Sequence, residues 1–488
     1  MRRSNQTYKS LTRLGLARRR RHRPNRETPA NVDMHDKIKS QSRRSIPAVN
    51  KFLEALEVYD LPRPLIVDVV RRELAVEREN FRVADFPVLL ARVRTVLDRL
   101  RRSRLQSVIN GTGIIVHTNL GRAPLAMDSM KSIAEIAAAY TNLEYDLASG
   151  ERGHRGAYLE RALAVLCDAE SATIVNNCAA ALVLIVRHFI AAKPEVIISR
   201  GELVQIGGGF RIGEIIESTG ARLREVGATN KTTLRDYERA LAKETAMILR
   251  VHRSNFFMEG FVDSPSTADL AKIARKKRVP LVVDLGTGLL QQLDPASEGE
   301  PTPAETLKAG ADLICFSGDK LFGGPQAGII AGKKRFVSAL KSEPLFRALR
   351  ADKLCFAALQ ATVDLHLNRA SRDIPVLAMS QTAKDELRAR AANIVTRLRG
   401  LPARISVGRG AVKTGGGTLP RAVISSVSID IDPENCSANE FAAQMRAQTP
   451  PIIGYIANRS FKLDLRTILP HQDDLVVDAI RTVCTANG

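Results

Sequence analysis

The stretch Ser317-Gly318-Asp319-Lys320-Leu321-Phe322-Gly323-Gly324-Pro325-Gln326-Ala327-Gly328 follows the apolar run Leu313-Ile314-Cys315-Phe316, and its reading decides the fold. A short, uniformly apolar run is what a strand buried on both faces requires. The lysine stands just past the end of that run, with a hydroxyl three residues before it and a glycine-rich turn after it. Thirty-six positions upstream, Asp284 ends a second apolar run, Pro280-Leu281-Val282-Val283. A strand-end aspartate followed one βα unit later by a strand-end lysine is the arrangement a pyridoxal-phosphate (PLP) enzyme needs. The lysine forms the Schiff base, and the aspartate keeps the pyridine nitrogen protonated so that the ring acts as an electron sink. A lone lysine after a buried strand reads more simply as a surface residue. The aspartate, Ser317 and the glycine turn together favour the cofactor reading.

Outward from this stretch the chain alternates strand and helix. Short buried strands are expected at 172–175, 196–199, 223–226, 246–251, 281–284 and 313–316, with helical patterns at 179–189 and 267–277 between them. Ala327-Gly328-Ile329-Ile330-Ala331-Gly332 follows the lysine too closely for a helical crossover, so it is expected as an antiparallel neighbour. The expected fold is α/β, with a mainly parallel seven-stranded sheet. This resembles the large domain of the aspartate-aminotransferase superfamily, PLP-dependent fold type I. The alternating run Val423-Ile424-Ser425-Ser426-Val427-Ser428-Ile429 and a last helix over 474–483 suit a small C-terminal α+β domain. Three helical stripes fall between Ser45 and Arg104, with Pro62 and Pro64 separating the first from the second. The expected divisions are therefore a basic tail over 1–44, a helical domain over 45–105, a cofactor-binding large domain over 106–350, and bridging helices with the small domain over 351–488.

Charge is unevenly spread. Residues 1–104 hold 26 Lys and Arg against 12 Asp and Glu, which is +14 of the total +21; the other 384 residues carry only +7. The tail includes Arg18-Arg19-Arg20-Arg21-His22-Arg23 and has no acid before Glu27, so it is expected to be disordered, with an organellar transit peptide as the alternative. A basic, separable N-terminal region points to a polyanion partner. Six cysteines lack CxxC spacing and read as reduced core thiols of a cytoplasmic protein; no metal-ligand pattern is apparent. No apolar run is long enough to span a membrane.

Asn176-Asn177-Cys178-Ala179-Ala180 closes the first strand and opens a helix. Its free backbone N–H groups make Asn177 and Cys178 candidates for holding the cofactor phosphate, with Ser317 as a second contact. An ordinary helix cap is the alternative. Arg347 and Arg350, three apart, would share a helix face and clamp one anion. Arg122 follows a segment with two glycine turns, Asn110 to Gly121. For each arginine the plain alternative is a surface ion pair, which composition alone favours.

Several long segments then resemble one family. They include Asn110 to Pro124, Tyr140-Thr141-Asn142-Leu143-Glu144-Tyr145-Asp146-Leu147, Gly150-Glu151-Arg152-Gly153, Val226 to Asn230, Ser317 to Gly328, Arg347 to Lys353 and Gly415-Gly416-Gly417-Thr418-Leu419-Pro420. They are similar to the bacterial selenocysteine synthases, the L-seryl-tRNA(Sec) selenium transferases, from about Arg44 to Val483. The resemblance implies conversion of seryl-tRNA(Sec) to selenocysteinyl-tRNA(Sec) with selenophosphate, through an aminoacrylyl intermediate on PLP. It also implies a ring-shaped homo-oligomer, a decamer, whose N-terminal domain grips the tRNA. By the same resemblance Lys320 carries the cofactor, and Arg122, Arg347 and Arg350 hold selenophosphate or its phosphate product. The chain departs from the family pattern at Cys178, Gly209, Gly156-Ala157-Tyr158 and Tyr455. Two alternatives remain: a PLP-dependent lyase for a small phosphorylated amino acid or sugar acid, and a non-catalytic RNA-binding paralogue.

Overall fold

The computed structural model describes residues 46–56, 59–79, 84–293, 297 and 299–486. The basic tail over 1–44 lies outside the described residues. The chain divides into two compact units, one ending at Gln106 and one from Ser107 onward.

In the first unit, α1 (Val49–Ala55), α2 (Arg63–Glu77) and α3 (Phe86–Arg102) each carry one apolar stripe. Prolines sit in the first turns of α2 and α3, where their missing N–H costs nothing. The stripes meet in a core of Phe52, Leu56, Ile66, Val69, Val70, Leu74, Leu89, Val93 and Leu97. Glu77 is buried beside them, and Arg92 donates to it at 2.7 Å while also reaching Glu73 at 2.9 Å. Losing Arg92 would remove the guanidinium that faces this buried carboxylate, leaving it the Ala84 N–H at 2.7 Å. Arg71, Arg72, Arg78, Arg99, Arg101, Arg102 and Arg104 are all exposed, as the helical spacing predicts.

The second unit is built on a seven-stranded sheet. Its strands are β1 (Ser171–Val175), β2 (Glu195–Ser199), β3 (Arg222–Val226), β4 (Thr245–Val251), β5 (Leu281–Gly286), β6 (Leu313–Ser317) and β7 (Gly328–Gly332). Their order is β1-β7-β6-β5-β4-β2-β3. Only β7 runs antiparallel, against both β1 and β6. Successive residues leave opposite faces of a strand. Accordingly Ile197, Ile248, Leu281, Val283, Ile314 and Phe316 enter one core, and Val196, Met247, Leu249, Val282, Leu313 and Cys315 enter the other. Helix α4 (Cys178–Ile190) covers the second face with Ala181, Leu184 and Ile185, and α5 (Thr267–Lys277) covers the first with Leu270, Ala271 and Ala274. With helices on both faces, every strand end that carries chemistry opens at the same edge of the sheet.

Beyond the sheet, α6 (Pro344–Ala348) and α7 (Lys353–Leu367) follow, and α7 sends Leu359 and Val363 back into the large core. The C-terminal part then folds as an antiparallel sheet of β8 (Ala403–Gly415), β9 (Thr418–Pro433), β10 (Tyr455–Ala457) and β11 (Ser460–Asp464), ordered β10-β11-β9-β8. Its core is completed by α8 (Lys384–Arg397), α9 (Ala438–Arg446) and α10 (Asp473–Ala486). No helix among the described residues is long and apolar enough to cross a membrane.

Glu202, just past β2, supports the end of β4 by accepting the Val251 N–H at 3.2 Å. Burial pushes its carboxyl from the ordinary 4.5 up to about 7, against the opposing pull of Arg250. Between those two pH values the native chain holds a proton that the unfolded chain has released, so stability falls as pH rises from 4.5 through 7. The displacement corresponds to about 3 kcal/mol. Glu202→Gln keeps an acceptor without the titration, so denaturant midpoints at pH 5 and pH 8 should move closer together than in the wild type. An unchanged difference would locate the titration elsewhere.

Candidate active site

Lys320 sits at the tip of a tight loop between β6 and β7. Gly318 N–H donates to the Ala327 carbonyl at 2.9 Å, Gly324 N–H to the Gly318 carbonyl at 2.8 Å, and Leu321 N–H to the Thr287 carbonyl at 3.1 Å. These bonds hold the lysine half-buried at the strand ends, where it lines a cavity of about 620 Å³. Asp284, Ser317, Asn177, Cys178 and Arg122 line the same cavity.

Asp284 ends the regular part of β5 and is 8 % exposed. Burial raises its carboxyl above the usual carboxylate range, with the Lys320 ammonium as the first opposing influence. Gly286 N–H donates to its Oδ1 at 3.0 Å, and the Cys178 thiol lies 3.6 Å from the same oxygen. Gly286 has φ +69°, a left-handed conformation that a side chain would strain, and a Cβ there would lie 3.0 Å from Ser254 Oγ.

Asn177 caps α4, its side chain accepting the Ala180 N–H at 2.8 Å. The cap and the phosphate reading coexist, because capping uses one N–H of the first turn and Asn177, Cys178 and Ala179 all face the cavity. Arg122 has φ +69°, and its Nη1 lies 2.6 Å from Asp319 Oδ2. An arginine is thereby tied to the residue next to Lys320.

Arg347 and Arg350 behave differently. Helix α6 ends at Ala348, so Arg350 lies beyond it and the two do not share a helix face. The loop departs because the Leu349 carbonyl accepts the Asn176 N–H at 2.9 Å, pinning it to the end of β1. Arg347 is exposed, and Arg350 lines a second cavity of about 200 Å³ with Arg152, Arg155 and Glu144. There Glu144 meets Arg152 at 2.7 Å, Arg155 at 2.8 Å and Arg350 at 3.6 Å. Neither Arg347 nor Arg350 lines the Lys320 cavity.

Residues not anticipated from sequence complete the cavity. His252 N–H donates to the Asp284 carbonyl at 2.8 Å, and its Nε2 lies 2.9 Å from Glu300 Oε2. Ser254 and Asn255 follow it, a polar run after the buried end of β4, as Asp319 and Lys320 follow the end of β6. Gly416 and Gly417 of the β8–β9 turn close the cavity from the C-terminal sheet.

Gly328 pairs with both Val175 and Ser317, and a Cβ there would stand 2.1 Å from the Asn177 carbonyl oxygen. Gly328→Ala should lower stability by about 1–3 kcal/mol, the range for overpacking a filled core. Gly213→Ala, on a short helix with nothing closer than 3.6 Å, should be neutral or stabilising. Equal urea midpoints for the two variants would contradict this close approach.

The family model for L-seryl-tRNA selenium transferases, SelA, matches residues 108–469. A relative named L-seryl-tRNA(Sec) selenium transferase in Carboxydothermus hydrogenoformans is 42 % identical over 447 residues, 88 % of this chain and 95 % of that protein. Relatives of the same name in Geobacter sulfurreducens and Aquifex aeolicus are each 40 % identical, covering 90 % and 88 % of this chain and 99 % and 96 % of their own lengths. Among solved structures, D-glucosaminate-6-phosphate ammonia-lyase superposes with a TM-score of 0.55 at 21 % identity, covering 80 % of this chain and 98 % of that one, a likeness of fold alone. With three quarters of its length matched by the family model and relatives aligned almost end to end, the chain belongs to the L-seryl-tRNA selenium transferase family.

Proposed function

We propose that the protein converts L-seryl-tRNA(Sec) to L-selenocysteinyl-tRNA(Sec) with selenophosphate as the selenium donor, using PLP held at Lys320. The observation that carries the reading is the convergence of Lys320, the buried Asp284 and the first turn of α4 on one cavity. Those residues suit the cofactor. A carboxylate raised by burial, and only partly offset by Lys320, fits a protonated ring nitrogen. The first turn of a thirteen-residue helix beside Ser317 fits a phosphate. When bound, PLP supplies a sink for the charge left when the serine Cα loses its proton. Lys320 Nζ would carry the cofactor and, when free, would serve as the base that takes that proton. Relatives with the transferase name at 40–42 % identity favour this reading over the small-molecule lyase.

Arg122, which lines the cavity, would bind the anionic donor there. For Arg347 and Arg350 to share that role, a second copy must bring them to the site, in keeping with the ring-shaped homo-oligomer, a decamer, that the family resemblance implies. Exposed Tyr140, Tyr145, Leu147 and Tyr158 on the same unit offer apolar surface for such an assembly. The exposed arginines of the first unit and the basic tail supply phosphate contacts for tRNA. We place the protein in the cytoplasm, where charged tRNA is available.

Borohydride reduction should fix the cofactor covalently on Lys320, readable as a mass increment on the peptide that contains it. Lys320→Ala should lose both the increment and selenium transfer. An increment on another lysine would overturn the assignment.

Arg350→Ala should retain the increment while weakening selenophosphate use by about ten- to a hundredfold, the loss of one charge-assisted contact of about 1.5–3 kcal/mol. If neighbouring copies share the site, mixed oligomers of Lys320→Ala and Arg350→Ala should regain part of the wild-type rate, because some sites then combine an intact lysine with an intact arginine. No recovery on mixing would confine each site to one chain.

A further inference from the structure

Cys315 is fully buried in β6, and its register partner across the parallel pair is Asp284. Register partners leave the sheet on the same face, with neighbouring strands about 4.8 Å apart. Helix α4 covers that face and begins at Cys178, whose Sγ lies 3.6 Å from Asp284 Oδ1. The three donor atoms, two thiol sulfurs and a carboxylate oxygen, all lie within 4.8 Å of one another. Two of the three residues, Cys178 and Asp284, line the Lys320 cavity, while Cys315 sits behind them.

A tetrahedral zinc ion binds thiolate sulfur at about 2.3 Å and carboxylate oxygen at about 2.0–2.2 Å, so its donors stand roughly 3.5–3.8 Å apart. The Cys178–Asp284 edge already has that length. The other edges close with side-chain shifts on the order of an ångström. Two sulfurs and one oxygen select a thiophilic ion; magnesium or calcium would demand an oxygen shell that this face of the sheet lacks. Because Cys178 and Asp284 line the cavity, a water from it would complete the shell on that open side.

We propose that Cys178, Cys315 and Asp284 form a site for a thiophilic divalent cation, zinc or cadmium, and that its occupancy and that of the cofactor exclude one another. Exclusion rests on the reading of Asp284 as partner of the pyridine nitrogen. A carboxylate committed to a metal cannot also meet the ring, and a ring seated over Asp284 closes the open side of the metal site. Binding breaks two S–H bonds, forms two metal–sulfur bonds, releases both protons to solvent and changes no oxidation state. The hydrogen bond with Cys178, and then burial, hold the Cys315 thiol well above its usual range, which weakens the site relative to an exposed pair of cysteines. Cys178 and Cys315 stand 137 positions apart, so no spacing rule finds them.

The test is an anaerobic titration of the cofactor-stripped full-length protein with cadmium chloride, read in the ultraviolet. A thiolate-to-cadmium charge-transfer band should grow to saturation at one ion per chain. Cys178→Asn and Cys315→Ala should each weaken binding at least tenfold, and loading the wild type with PLP beforehand should suppress the band. Absence of the band in the wild type, a band unchanged in both variants, or a full band in the cofactor-loaded protein would overturn the proposal. Loss of two titratable thiols without any metal band, the mark of a disulfide, would overturn it as well. Borohydride labelling run in parallel separates the two readings. Label on Lys320 without a cadmium band defeats only the metal site, and a cadmium band without label on Lys320 defeats the cofactor reading.

Discussion

The register between β5 and β6 sets the geometry on which the site depends. Val282 pairs with Leu313 and Asp284 with Cys315, so the two strands end side by side at the same edge of the sheet. A slip of one residue in β5 would turn Asp284 into the opposite core and away from Cys315. The parallel sheet holds this register because both its faces are filled, and because β7 returns antiparallel and ties Ser317 to Gly328. The loop bearing Lys320 is thereby closed over only ten residues, with its glycines admitting backbone where a side chain would collide.

Electrostatics follow from the same packing. Asp284 lies among Val282, Cys315 and the first turn of α4, where a carboxylate is poorly solvated. Such a group gains most from a cation placed against it, and Lys320 alone offsets the burial only in part. His252, which lines the same cavity, pairs with the buried Glu300. Glu300 is 6 % exposed, accepts from Thr287 Oγ1 at 2.8 Å and faces His252 Nε2, so the imidazole next to Asp284 is fixed from behind.

The strands, the antiparallel return after Lys320 and the strand-end positions of Lys320, Asp284, Ser317, Asn177 and Cys178 were legible in the sequence, because each rests on local signals; Arg122 was pointed to by the family resemblance and not by spacing. Apolar runs mark buried strands, and polar residues just past their ends mark the open edge of a parallel sheet. What depended on tertiary contacts was not legible. Arg350 leaves its helix because a carbonyl one residue earlier bonds to the end of β1, a contact between positions 173 residues apart. Gly416 and Gly417 read as a hairpin turn, and nothing local says that the turn closes a cavity in another layer of the molecule. The meeting of Cys178 with Cys315 likewise needs the register and the helix placement together.

The proposed activity is tested most directly by selenium transfer itself. Purified protein, seryl-tRNA(Sec) and isotopically labelled selenophosphate are combined, and the amino acid released from the tRNA is identified for the wild type and for Asp284→Ala. The wild type should yield labelled selenocysteine and Asp284→Ala almost none, since a buried partner for the ring nitrogen is what lets the cofactor accept charge. Unchanged serine from the wild type, or full transfer by Asp284→Ala, would contradict the role given to this sheet edge.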